Sequence, residues 1–147
     1  AWGACGAGGF PGGWGGGVEG GAGRGGEWAL GPGERAKVGR LVLGGGRWNG
    51  RRIVQKAWID ASMTPWLGAT SGFSYGYLWW LGRALNNGRE VHWAAALGRG
   101  GQSIRIVPEF DLVVVVTAGY YQDSSPQAFQ VQSGIFRDVL RGIAPPG

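Results

Sequence analysis

A chain of 147 residues is long enough for one ordinary domain with a real core. Its net charge of +5 comes with a single cysteine and a single histidine, so neither an internal disulfide nor a zinc-binding set can be assembled from it. No run of about 18 apolar residues occurs, so no membrane helix is expected, and the start at Ala1 shows no basic and apolar leader.

Residues 1–26 (AWGACGAGGFPGGWGGGVEGGAGRGG) have the composition of a flexible linker interrupted by Trp2, Phe10 and Trp14. Nearly half of the 33 glycines precede Pro32, so this part cannot contribute proportionately to a core. The aromatic spacing shows no repeat, so the segment reads as disorder rather than as a Gly/aromatic interaction segment. The globular part is expected over residues 27–144.

Pro32 sits where a helix would begin, and Glu34 places negative charge in its first turn. Val38, Leu41 and Val42 give an apolar stripe, and Gly44-Gly45-Gly46 would end the helix. Gly39 inside it costs about 1 kcal/mol relative to alanine, which calls for a close packing partner. Trp48-Asn49-Gly50 signals a turn. Ile53-Val54 would pair briefly or lead into a short helix over residues 56–61, and residues 63–74 read as loop. Arg47, Arg51, Arg52 and Lys56 are the densest basic group. They read as a solvated turn and helix start, since no interleaved exposed aromatics are evident, and no nucleic-acid partner is expected.

Residues 75–81 (YGYLWWL) read as a strand joined by the Asn86-Asn87-Gly88 hairpin to a strand over 91–97. A third is expected over 102–107, with Ile104 and Ile106 buried and Ser103 and Arg105 wet. A fourth, over 112–118, contains the run Val113–Val116, apolar on both faces, which suits a central strand. Pro108-Glu109-Phe110-Asp111 is short enough for a tight reversal. Between the second and third strands lie Gly98, Gly100 and Gly101, as a backbone needs for a sharp bend or a close approach. His92 reads as an ordinary strand residue, and Trp79, Trp80 and Trp93 as core. Ser124-Ser125-Pro126 starts a last helix with a stripe of Phe129, Phe136, Val139, Leu140 and Ile143, ending near Gly142 before Pro145-Pro146. The fold class is α+β, an antiparallel sheet of four strands flanked by helices.

Three segments in order resemble the serine β-lactamase and penicillin-binding-protein-like hydrolases, including their esterase and amide-hydrolase branches. Residues 26–39 (GEWALGPGERAKVG) resemble a Gly-Gly-Leu, Pro-x-Asp and Ala-Lys-x-Gly segment. Residues 45–58 (GGRWNGRRIVQKAW) resemble a Gly-x-Trp-Asn-Gly turn with its following Val-x-x-x-Trp. Residues 75–80 with 98–116 resemble a Tyr-Gly-Tyr-x-Trp-Trp strand, a Gly-x-Gly-Gly-Gln strand and a Pro-Glu-x-Asp-Leu turn. The resemblance covers residues 26–141 and implies the C-terminal portion of a β-lactamase/transpeptidase-like fold.

The resemblance further implies an acyl-enzyme mechanism, with a Ser-x-x-Lys nucleophile and a tyrosine from a second motif. A third motif walls the site and supplies an oxyanion-hole N–H. Here that motif would be Gly98, Gly100, Gly101 and Gln102, as substrate-binding backbone. It lacks the Lys-Thr-Gly or His-x-Gly of many relatives, which leans toward esters or amides over lactams. No serine has lysine three residues later, and no tyrosine begins Tyr-x-Asn or Tyr-x-Ser, so no catalytic residue is assigned. The expectation is an inactive C-terminal fragment whose intact parent takes a small-molecule ester or amide. It would lack the N-terminal half of the domain, use no cofactor or metal, and engage neither nucleic acid nor membrane. The sheet should then expose an edge. The competing expectation is a non-catalytic interaction module on the same fold, and localisation stays open.

Overall fold

A computed structural model describes residues 30–69, 72–98, 100–119 and 126–143. The glycine-rich segment 1–26 with Cys5, Arg99, the Ser124-Ser125 helix start, Pro145-Pro146 and both expected domain limits lie outside them.

The element order is α1 (Pro32–Leu43), β1 (Arg47–Trp48), β2 (Arg51–Arg52), α2 (Lys56–Ser62), β3 (Leu67–Gly68), β4 (Ser74–Tyr75), β5 (Trp80–Asn86), β6 (Arg89–Leu97), β7 (Ser103–Val107), β8 (Leu112–Val116) and α3 (Pro126–Gly142). Strands β3 to β8 form one antiparallel sheet in sequential order, and β1 and β2 form a separate hairpin. This is an α+β fold. Sequential pairing follows from the tight turns: Asn87 and Gly88 take positive φ of 48° and 79° between β5 and β6. Asp111 does so after a single 3-10 turn at Pro108–Phe110.

Helix α1 starts at the expected proline and stops at Gly44, whose N–H donates to the Arg40 carbonyl at 2.9 Å. Its Gly39 is buried against the sheet. A β-carbon there would meet Val113 Cγ1 at 2.4 Å and Ile104 Cγ2 at 3.2 Å. The close partner expected for this glycine is therefore β7 and β8. The basic cluster forms the β1–β2 hairpin and the start of α2. Arg47 donates to the Gly50 carbonyl, Arg52 to the Gly45 and Val54 carbonyls, and Lys56 to Asp60.

The opposite sheet face carries the main core: Val91, Trp93 and Ala95 of β6, Val107 of β7, Val114 and Val116 of β8, and Phe136 and Leu140 of α3. The ring of Trp93 lies across β5 where Gly82 leaves room, since a β-carbon at Gly82 would sit 2.3 Å from the indole. Asn86 has a second role that its turn position hides. Its buried amide donates to the Leu140 and Ile143 carbonyls at 2.8 and 3.2 Å, tying the hairpin to the end of α3.

Five expectations are corrected. The stretch 75–81 is not one strand. Its Gly76 packs against the Ser62 carbonyl, where no β-carbon fits, and Leu78 adopts a φ of 64°, so β4 and β5 are separate strands joined by a turn. With β3 this makes six strands in the sheet among the described residues, instead of four. Strand β8 is not central; among the described residues it has a neighbour on one side only. Its all-apolar run reflects cover on both faces, by α1 and by the α3 core. For the same reason Ser103 and Arg105 are not wet: each is 3% exposed, because the second face of β7 also lies under a helix. Phe129, expected in the helix stripe, is exposed, whereas Phe136 and Leu140 are buried.

Gly39→Ala tests the α1 contact. Helix propensity would favour alanine by about 1 kcal/mol, but overpacking against Val113 costs about 1–3 kcal/mol. Net destabilisation is expected in urea unfolding, and Val113→Ala in the same chain should recover part of it.

Candidate active-site edge at the glycine turn

The expected site residues lie together where β6 ends and β7 begins. Gly98 is exposed, and its N–H donates to the Gln102 carbonyl at 2.9 Å, closing the turn. Gly100 and Gly101 are buried with φ of 82° and 90°. A residue with a β-carbon is strained in that region of backbone space, which accounts for glycine at both. Gln102 is half-buried and leads directly into Ser103.

Beside this turn an open cleft of about 410 Å³ is lined by Gly98, Gln102 and Ser103 on the strand side and by Leu30, Arg35 and Val38 at the start of α1. The volume suits a small ligand. Its cation is Arg35, and no carboxylate lines it among the described residues. Among the described residues the arrangement therefore offers a backbone turn and the Arg35 charge, suited to an oxygen that gains negative charge.

The titratable pair nearest in sequence is elsewhere. His92 of β6 meets Glu109 of the 3-10 turn: its backbone N–H donates to Glu109 Oε1 at 2.8 Å, and its Nδ1 lies 3.0 Å from the same oxygen. Burial pushes the Glu109 carboxyl up, but the N–H groups of His92 and Glu109 and the His92 ring outweigh it and hold the group below its ordinary value. Neither residue lines the glycine cleft. Trp93 lies in the core, Trp80 packs against it and Trp79 is half-buried. The exposed aromatic group is instead Trp58, Trp66 and Tyr77, with Trp66 stacked on Tyr77 at 5.8 Å.

Among the described residues no three of His, Cys, Asp and Glu gather where they could hold a metal ion, and no helix is long and apolar enough to cross a membrane.

Because the Glu109 carboxyl is lowered in the fold, its contribution is present above its unfolded value of about 4.3 and is lost as pH falls through the lower folded value. Glu109→Gln should therefore flatten the acid limb of a stability–pH curve. At pH 7 it should cost about 1 kcal/mol, low for a charged hydrogen bond because 24% of the side chain still meets water. Urea midpoints between pH 3 and 7 would read both effects.

No family model matches the sequence. Over 119 residues, 74% of this chain, it is 31% identical to the 6-aminohexanoate-dimer hydrolase of Paenarthrobacter ureafaciens, and the match spans 29% of that protein. The chain thus matches less than a third of the length of this curated relative. The likeness relates it to the β-lactamase/transpeptidase-like serine hydrolases at the level of the superfamily.

Proposed function

We infer that this chain is the C-terminal part of a serine hydrolase that works through an acyl-enzyme on ester or amide bonds. The turn of Gly98, Gly100, Gly101 and Gln102 serves as the substrate-side wall and oxyanion edge. The observation that carries the reading is the turn closed between Gly98 and Gln102 beside a small open cleft at the head of β7, with Gly100 and Gly101 buried at positive φ within it. A backbone without side chains there lets a carbonyl carbon come close, and an N–H donor costs nothing to reorganise as charge develops. The superfamily relationship supports the same assignment. The likeness to a protein named a 6-aminohexanoate-dimer hydrolase supports an amide over a lactam.

In this reading the nucleophilic serine and its lysine come from sequence other than these 147 residues, none of whose serines precedes a lysine by three. The chain alone is then inactive, and its role is to complete a site. Arg35, at the cleft margin, would hold an anionic end of the substrate.

A second reading, a non-catalytic interaction module, is favoured by one observation: the exposed cluster of Trp58, Trp66, Leu67, Tyr77 and Leu78.

The test compares this chain with the protein extended through its native upstream coding sequence. The extended protein should react with a fluorophosphonate and hydrolyse p-nitrophenyl acetate, and the chain alone should do neither. Gly101→Val in the extended protein should slow acylation by roughly 10²–10³-fold, the loss typical of a disturbed oxyanion hole. Unchanged acylation would remove the glycine turn from the site. A native start without any Ser-x-x-Lys would leave the interaction module.

A further inference from the structure

The sheet face under α3 holds a second cleft, of about 830 Å³, between α3 and strands β5 to β7. Its walls are mostly apolar: Trp80, Ala84 and Leu97 on the sheet, Phe129 and Leu140 on the helix. Phe129 stands 47% exposed over it, so an apolar wall is left open to water.

Arg105 lies in this apolar setting. It is 3% exposed on the inward face of β7. Its guanidinium carbon is 4.7 Å from the centre of the Phe136 ring and 5.2 Å from that of Trp93. Its Nη2 donates a long hydrogen bond to Ser133 Oγ at 3.4 Å. Its Nε is buried and has no hydrogen-bond partner among the described residues. No carboxylate pairs with it among them either, and none lines the cleft.

Burial lowers the Arg105 pKa to about 10, which leaves it charged at neutral pH. The two rings offset part of the desolvation through their π faces, yet they offer Nε no acceptor. A buried cation is ordinarily matched by an anion or by a full set of acceptors, and among the described residues this one has neither. Two further arginines of α3, Arg137 and Arg141, stand at the cleft and, among the described residues, share Asp138 at 3.8 and 3.9 Å. Arg83, also at the margin, is engaged by Glu90 at 3.5 Å.

We propose that this cleft binds a small carboxylate with an apolar body, of the arylalkyl or medium-chain kind. The carboxylate would supply the acceptor that the Arg105 guanidinium lacks among the described residues, and the apolar body would cover Phe129 and Trp80. A neutral ligand of the same shape would fill the cleft and leave the cation unmatched. The volume lies in the range of small-molecule sites. The proposal does not depend on hydrolase activity, because it concerns the face of the sheet that α3 covers.

The experiment titrates the chain with 4-phenylbutyrate and with 4-phenyl-1-butanol, followed by calorimetry and by indole N–H signals in NMR. The acid should bind at least about tenfold more tightly than the alcohol. Arg105→Met should reduce the acid to the affinity of the alcohol, while Arg105→Lys should keep part of the preference. Equal affinity of acid and alcohol, or undiminished binding of the acid to Arg105→Met, would overturn the proposal. So would no saturable binding of the acid up to about 10 mM, or binding of poly-glutamate without binding of the acid. If Arg105→Met does not fold, the acid–alcohol comparison on the unaltered chain decides by itself.

Discussion

The structure depends on one constraint: strands β7 and β8 have to be dry on both faces. Helix α1 closes one face, and it can do so only because Gly39 lets its backbone approach Val113 and Ile104. Helix α3 closes the other through Phe136 and Leu140. Tight turns set the order of the strands, but this double cover decides what their side chains experience. It fixes the glycine turn at the head of β7 between α1 and the sheet, and it places a guanidinium in the interior. Both candidate sites follow from it.

Local chemistry makes much of this legible in the sequence. Pro32 and the three glycines after Leu43 bound a helix because one supplies a fixed φ and the others a break. Asn87-Gly88 announces a hairpin for the same kind of reason, and Pro108 with Asp111 announces a reversal. What escapes is set by contacts distant along the chain. Gly76 looks like any strand glycine until the Ser62 carbonyl is seen to fill the space a β-carbon would need. Asn86 looks like a turn residue until the end of α3 arrives to accept from it. No window of sequence contains either fact.

The burial of Arg105 is different, because the sequence does carry a signal for it. Alternation in residues 103–106 suggests a wet face for Ser103 and Arg105. Yet the neighbouring run Val113–Val116 is apolar on both faces, and paired strands share their cover. Arg105 is in register with Val114, itself buried. A strand beside a doubly covered partner is itself doubly covered, so its polar positions must point inward. Taken as a pair, the two strands mark Arg105 as a buried cation from their residues alone. The glycines of the candidate site are legible by spacing, since a close run of glycines marks a bend, and Gly100 and Gly101 adopt the positive φ that favours glycine. The cleft beside them is not, because it is formed with the start of α1, some sixty residues earlier in the chain.

The two ends of the sheet are unlike, and the difference bears on function. At one end β3 is only two residues long, an edge blunted by brevity. At the other, β8 presents five residues, Leu112 to Val116, with no charge, proline or bulge and with a strand on one side only among the described residues. Such an edge offers unpaired N–H and C=O groups to any extended segment of matching length. In the hydrolase reading that segment is a strand of the same domain, and it would bring the nucleophile-bearing region against a sheet whose glycine turn is already shaped. In the interaction-module reading the edge would have to stay open or pair with another chain. Double cover of β8 by α1 and α3 dries its two faces whether or not a second strand lies beside it, so its residues suit an edge or an interior place, and the unblunted edge leaves room for the further strand of the hydrolase reading.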